Sequence, residues 1–132
     1  MGLQTDLETA IYSKLTTTGG TALYADRVYP LQAPQDAPLP YVIVTYIGGG
    51  DTNESQSRIV DVMYQIVGWA ADQPVARQIA DYLEAALHDQ SLTITGWNHI
   101  ATTQVGMLAD VETEGQKQFW MRGAEYRIRM SK

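Results

Sequence analysis

Cysteine is absent from this chain of 132 residues. Its absence excludes disulfide bonds, thiolate metal sites and cysteine nucleophiles, and it agrees with a reducing compartment. Histidine is nearly as scarce, since His88 and His99 are the only two. Neither stands at a metal-ligand spacing from a further histidine or cysteine, so the sequence predicts no metal site and no cofactor.

Long apolar runs are also missing. No run approaches the roughly 20 residues of a membrane-spanning helix, and the first residues lack the charged-then-apolar pattern of a secretory signal. Met1 and Gly2 begin like a myristoylation signal, but Asp6 stands where that signal requires serine or threonine. We therefore expect a soluble protein with no membrane partner, made in the cytoplasm.

Recognisable catalytic patterns are missing too. No serine lies in a nucleophile elbow, and the carboxylates Glu112 and Glu114 fall in a stretch that we expect to be a loop, whereas hydrolytic pairs need rigid placement. The three glycines at 48–50 are followed by neither Gly-Lys-Ser/Thr nor a predicted helix, which argues against a phosphate-binding loop. The residues predict no enzyme; a small enzymatic or ligand-binding α+β domain without a known motif is the alternative.

Acidic residues outnumber basic ones, 15 against 9, and the formal net charge is −6. A surface of that sign repels phosphate backbones, which disfavours nucleic-acid binding as the main function. Residues 117–132 contain five basic residues and one acid, a net charge of +4, which leaves −10 for residues 1–116. The basic end could meet an acidic surface of the same fold or of a neighbour; a solvated strand end is the alternative.

The first half of the chain predicts one helix and two strands. Apolar residues recur every four positions over residues 3–16, as in an amphipathic helix. A short strand at Val28 and Tyr29 is followed by a proline-rich, stiff connector, for which a polyproline ligand is the functional alternative. Residues 41–47 are apolar on both faces, which predicts a central strand covered on both sides. Residues 48–57 are expected to form a mobile, glycine-rich loop.

Residues 59–88 predict the centre of the fold, a long strand followed by an amphipathic helix. In the strand, residues 60, 62, 64 and 66 are apolar and share one face, whereas Asp61 and Gln65 share the other face with Trp69. The first face is expected in the core and the second at a partner or in solvent. Asp72 is a suitable helix N-cap, and apolar residues repeat every four positions from 75 to 87.

The last third of the chain predicts three strands. We expect a short strand over residues 92–95, a weaker one over 99–108 with a bulge at Gly106, and a long final strand over 117–130. Residues 110–116 are expected to form a turn or a second mobile loop. Together these elements predict one α+β domain over residues 1–132, with a mixed, mainly antiparallel sheet and two amphipathic helices packed on it.

Several sequence blocks resemble those of a known family. They are LYADRVYP over residues 23–30, APQ over 33–35, LPYV over 39–42, and YQIVGWA over 64–70 with the alanine-rich helix that follows. In these blocks the chain resembles the tail-completion, or tail-terminator, proteins of long-tailed bacteriophages and prophages. Many relatives have an acid before the aromatic-alanine pair, where this chain has Val67 and Gly68.

The resemblance implies a structural protein rather than an enzyme. Members of this family form a ring of about six copies that caps the tail tube, stops its polymerisation and joins it to the head connector. The implied partners are other copies of the chain, the tail tube protein and the head-tail connector protein, with DNA only passing through the ring. The implied location is the tail or neck of the virion, after assembly in the host bacterial cytoplasm. A head-side connector or stopper subunit is the alternative.

Charge, strand alternation and loop position together predict which residues contact a neighbour. The candidates lie in the two expected loops, on the mixed face of the long strand and at the basic end of the last strand. The candidate interface residues are Gly49, Asp51, Asn53, Glu54, Asp61, Gln65, Trp69, Glu112, Glu114, Arg127 and Arg129.

Overall fold

A computed structural model describes residues 3–17, 21–51 and 58–132. In chain order these residues form two long helices, one single-turn helix and five strands. The helices are α1 (Leu3–Thr17), α2 (Thr21–Tyr24) and α3 (Gln73–Leu87). The strands are β1 (Val28–Pro30), β2 (Tyr41–Asp51), β3 (Ile59–Ala70), β4 (Asn98–Glu114) and β5 (Lys117–Ser131).

The strands form one sheet in the order β1-β2-β3-β5-β4. Only β1 and β2 are parallel, and the other three pairs are antiparallel. β3 is therefore the central strand, and β1 and β4 are the two edges. A mixed, mainly antiparallel sheet with helices packed on it confirms the predicted α+β class.

The core lies on one face of this sheet. Alternate residues of β3, from Val60 to Ile66, are buried, whereas the residues between them are partly exposed up to Gln65. Their cross-strand neighbours on β5 are Ala124, Tyr126, Ile128 and Met130, which are also buried. Because successive side chains of a strand point to opposite faces, the two strands present one continuous apolar surface.

Both long helices cover that surface. α3 begins at Asp72, whose Oδ1 accepts a hydrogen bond from the Val75 backbone N–H at 3.0 Å, as predicted for its N-cap. The apolar stripes of α1 and α3 are buried in a single cluster with the core residues of β3 and β5. The members of the two stripes are Leu7, Ile11 and Leu15 of α1, and Ile79, Leu83 and Leu87 of α3.

Three fully buried tyrosines connect the layers. The hydroxyl of Tyr24 donates to the Leu15 carbonyl oxygen, that of Tyr64 to the Glu8 carboxylate at 3.2 Å, and that of Tyr126 to the Gln104 side-chain oxygen at 3.1 Å. Burial is the main cause that raises the pKa of all three phenols. Each hydroxyl therefore stays protonated as a donor, which avoids the cost of an unpaired buried polar group.

The motifs around Arg27 and Tyr41 meet at the edge of the sheet. Val28 pairs with Val42 in the parallel ladder, and the Val42 backbone N–H donates to the Arg27 carbonyl oxygen at 2.8 Å. The Arg27 side chain returns to the proline connector, where its Nε donates to the Pro40 carbonyl oxygen at 2.9 Å. These motif residues therefore hold the connector against β2.

Two sequence-based predictions of local structure are wrong. No strand forms at residues 92–95; Leu92 and Ile94 are instead buried in the core cluster, so their alternation reflects packing rather than strand pairing. The loop predicted over residues 110–116 is strand up to Glu114, and only a two-residue turn at Gly115, with φ 64°, joins it to β5. Pairing with β5 satisfies that backbone, although its side chains are polar and exposed.

The predicted loop at residues 48–57 is also partly wrong, because residues 48–51 continue β2 and pair with β3. A side chain at Gly49 would meet the Asp61 backbone, so glycine permits the close approach of the strands there. Residues 52–57 lie outside the described part of the chain. The bulge predicted at Gly106 is confirmed by the register shift between Gln104 and Gly106.

Gly68 sets the distance between β3 and α3, because an added methyl group would overlap the side chain of Ile79. We expect Gly68→Ala to lower the free energy of unfolding by about 1–3 kcal/mol through overpacking. Gly106→Ala, which meets open space, should change it by less than about 0.5 kcal/mol. Urea denaturation of both variants checks this, and equal effects would contradict the packing argument.

Candidate interaction surface

The sheet face opposite the helices, called here the open face, carries most of the candidate residues. All three helices contribute to the cluster that buries Val60 to Ile66. Ile43 and Val67 lie on the other side of the same strands, and they do not belong to that cluster although they are buried. They are cross-strand neighbours in the antiparallel ladder, so they mark the floor of the open face.

The open face contains a concavity of about 550 Å³, the open-face groove. Its floor is formed by β2 and β3, one wall by the loop after β1, and the other wall by the end of the β4–β5 hairpin. The lining residues are Leu31, Gln32, Ala33, Pro34, Gln35, Tyr41, Ile43, Thr45, Gln65, Val67, Trp69, Glu112, Glu114 and Phe119.

The two acids of the hairpin give this groove its charge. Glu112 and Glu114 are the charged members of the described lining, and both belong to the exposed end of β4. Burial is the main cause that raises the pKa of Tyr41, and the negative charge of Glu112 is the next. The Glu112 carboxylate therefore lies close enough to the groove floor to act on a phenol there.

A salt bridge lies farther along the open face. Asp61 and Arg129 are cross-strand neighbours, and the guanidinium donates from Nε to Oδ1 at 2.7 Å and from a terminal nitrogen to Oδ2 at 2.8 Å. The hydrogen bond from Arg129 lowers the pKa of the Asp61 carboxyl, with a further contribution from the Arg127 charge. Arg129 is thus paired within its own chain; its role in an interface remains a prediction.

The structure places seven of the candidate residues in two groups on the open face. Gln65, Trp69, Glu112 and Glu114 line one groove. Asp61, Arg127 and Arg129 lie together towards the opposite end of β5. Gly49 lies on β2 opposite Val62, and Asp51 is the last residue of that strand. Asn53 and Glu54 lie outside the described residues.

Sequence reasoning missed part of the groove. Tyr41, Thr45 and Phe119 line it together with the loop over residues 31–35. The prediction that residues 41–47 are covered on both sides is wrong, because Val42 and Val44 pack in the core whereas Tyr41, Ile43 and Thr45 line the groove. The alternation of these three residues could have indicated a second, mixed face. The prolines of the connector predict a stiff segment, but they do not predict that this segment forms a wall of a groove.

The two histidines have structural contacts. The Gln104 backbone N–H donates to His88 Nδ1 at 3.0 Å, and His99 Nε2 lies 2.7 Å from Thr102 Oγ1. Burial lowers the pKa of His99. Within the described ranges, no three histidine, cysteine, aspartate or glutamate side chains cluster as a metal site would require. The helices described here are all too short or too polar to cross a bilayer.

The salt bridge predicts a pH-dependent contribution to stability. Because the folded pKa of Asp61 lies below its usual value of 3.8, the contribution is present above that value and is lost as the pH falls through the folded pKa. Asp61→Asn should lower the free energy of unfolding at neutral pH by up to about 1 kcal/mol, since the pair is partly exposed. Its difference from the unmodified protein should disappear at low pH.

Urea denaturation from neutral to acidic pH measures this difference. Asp81→Asn, which removes an exposed carboxylate from α3, is the control. A difference for Asp61→Asn that stays constant with pH would show that its cause is not the ion pair.

Comparison with known proteins identifies the family of this chain. A chain from a structure titled "Virion of native gene transfer agent (GTA) particle" has a TM-score of 0.81, with 18% sequence identity, and the match covers 99% of this chain and 98% of that one. At that identity the likeness shows the fold alone. No curated protein matches the sequence. Residues 9–130 match the family described as "Tail completion protein gp17", and the chain therefore belongs to that family.

Proposed function

We propose that this protein is a phage tail terminator, whose copies form a ring that caps the tail tube, stops its polymerisation and joins it to the head connector. The observation that carries the proposal is the family match over residues 9–130, which assigns a role in tail completion. That membership also points to a structural rather than an enzymatic role. Ring formation, capping of the tube and binding to the connector go beyond that role and are proposed here.

The distribution of charge supports assembly into a ring. A ring requires heterologous contacts, in which one surface of a copy meets a different surface of the next. The sheet has two such surfaces, because the hairpin end carries three acids, Asp110, Glu112 and Glu114, against one base, Lys117, whereas Arg127 and Arg129 lie towards the other end. Opposite charges on separate surfaces of one chain favour head-to-tail contacts over contacts between like surfaces.

The β4–β5 hairpin supports contact with further partners. The pairing of β3 with β5 ends at Ala70 and Trp120, whereas β4 and β5 remain paired as far as Glu114 and Lys117. The hairpin end therefore extends beyond the central strand, and its residues 111–118 are exposed. An arm of this kind suits contact with the tail tube or the head connector.

The net charge of the chain is negative, so a ring of these subunits would repel the phosphates of DNA and let the DNA pass through without binding.

The ring predicts a defined oligomer at the neck of the virion. We expect native mass spectrometry of the purified protein to give about six copies, and electron microscopy to show rings. A protein that stays monomeric at high concentration, even with tail tube protein present, would contradict the ring. Pull-down with tail tube protein and with portal-side protein separates a terminator, which binds the tube, from a head-side connector or stopper, which does not.

Reversing Arg127 tests the charge argument, because Arg129 is already paired with Asp61. We expect Arg127→Glu to weaken self-association by roughly tenfold while the urea midpoint stays close to that of the unmodified protein. Arg77→Glu makes the same charge change at an exposed position of α3 and is the control. Equal weakening by both variants would assign the effect to net charge. Lower stability with an unchanged oligomer would place the contacts of Arg127 inside one subunit.

A further inference from the structure

The floor of the open-face groove lies on strands that are paired within the sheet. Its floor residues lie on β2 and β3, and β3 is paired on both sides, with β2 and β5. The N–H and C=O groups of an internal strand are used within the sheet, so addition of a further strand is not available there. An occupant of the groove floor is therefore recognised by side chains.

The side chains of the groove floor form three successive rows across β2 and β3, one aromatic, one apolar and one polar. Ile43 and Val67 form an apolar row across β2 and β3, and Thr45 and Gln65 form a polar row beside it. Tyr41 and Trp69 form an aromatic row on the other side, next to the hairpin. Rows of this kind suit an extended chain, whose side chains on one side recur at the same two-residue interval as the rows of the floor.

Aromatic and acidic groups lie together at the hairpin end of the groove. Phe119 is the cross-strand neighbour of Glu112, and Glu114 follows two residues later on the same side of β4. No arginine or lysine is among the described lining residues, although Lys117 is the cross-strand neighbour of Glu114 at the tip of the hairpin. Two carboxylates beside aromatic rings attract a cationic side chain, through charge-assisted hydrogen bonds and through contact of the cation with a ring face.

We propose that the open-face groove binds an extended segment of a partner protein that carries arginine or lysine side chains. The partly exposed rings of Tyr41, Trp69 and Phe119 hold the stem and the neighbouring residues of such a segment. Gln65 and Thr45 offer hydrogen bonds to its backbone, and Glu112 and Glu114 bind its cation. This inference does not depend on ring formation, since a single subunit contains the whole groove.

Other ligands fit the groove less well. A nucleic acid would place its phosphates against the two carboxylates, which repel them. A metal ion would need more ligands than two carboxylates on an exposed strand. A second copy of this chain also carries basic side chains, so the experiment must distinguish it from a separate partner.

The three tryptophans allow a test with an internal control. Trp69 lines the groove, whereas Trp97 lies beside Arg58 and Lys132, with 5.2 Å from each cation to its ring centroid, and Trp120 lies outside the groove lining. The protein is labelled with 5-fluorotryptophan, and fluorine NMR follows titration with the peptide acetyl-Arg-Val-Arg-Val-Arg-amide. Trp69→Phe assigns the groove signal.

We expect the peptide to shift the Trp69 signal and to leave the other two in place, with a dissociation constant on the order of 0.1–1 mM for such a short probe. The double variant Glu112→Gln with Glu114→Gln should raise that constant roughly tenfold. Asp81→Asn with Glu84→Gln, which removes two exposed charges from α3, should leave it within about twofold.

Several outcomes would overturn the proposal. They are an equal shift with a peptide in which glutamate replaces arginine, a common shift of all three signals, and undiminished binding by the Glu112 and Glu114 double variant. A Trp69 signal that moves with protein concentration in the absence of peptide would identify a second copy as the occupant instead. Unchanged Trp97 and Trp120 signals show that a variant is folded.

Discussion

One-sided burial of β3 is the constraint on which the rest of the structure depends. Val60, Val62, Tyr64 and Ile66 point to the helices, and their neighbours on β5 extend the same apolar surface. Each such side chain contributes about 1.5–3 kcal/mol when it is fully buried. A shift of the strand by one residue would expose all of them, so burial fixes the register of the central strands.

Burial of that face determines how the helices lie. Gly68 lets Ile79 of α3 approach the strand closely, and the buried tyrosines need partners that only neighbouring elements supply. Tyr64 reaches Glu8 of α1, and Tyr126 reaches Gln104 of the edge strand. These hydrogen bonds each require a defined distance and angle between donor and acceptor, whereas the apolar contacts have no preferred direction. The hydroxyl partners therefore help to select one arrangement of helices on the sheet.

With both long helices on one side of the sheet, no described helix covers the open face. Its two charged regions differ in what they can do. Asp61 holds Arg129 in a bidentate pair inside the chain, so that charge is largely satisfied. Glu112 and Glu114 lie beside aromatic groove residues, and the one base opposite them in the hairpin is Lys117, which is outside the groove lining. The acidic region is therefore the part of this face that is best suited to an external partner.

Sequence by itself determined the elements whose pattern follows from burial: α1, the β3–α3 unit with its Asp72 cap, and β5. It also selected Gln65, Trp69, Glu112 and Glu114, although for separate reasons. Only the tertiary structure decided that these four line one groove, because their proximity depends on strand order, which local periodicity does not contain. The same limit explains why the predictions of local structure for residues 92–95 and 110–114 are wrong. An apolar alternation can serve packing without a strand, and an exposed acidic segment becomes a strand when a neighbouring strand pairs with its backbone.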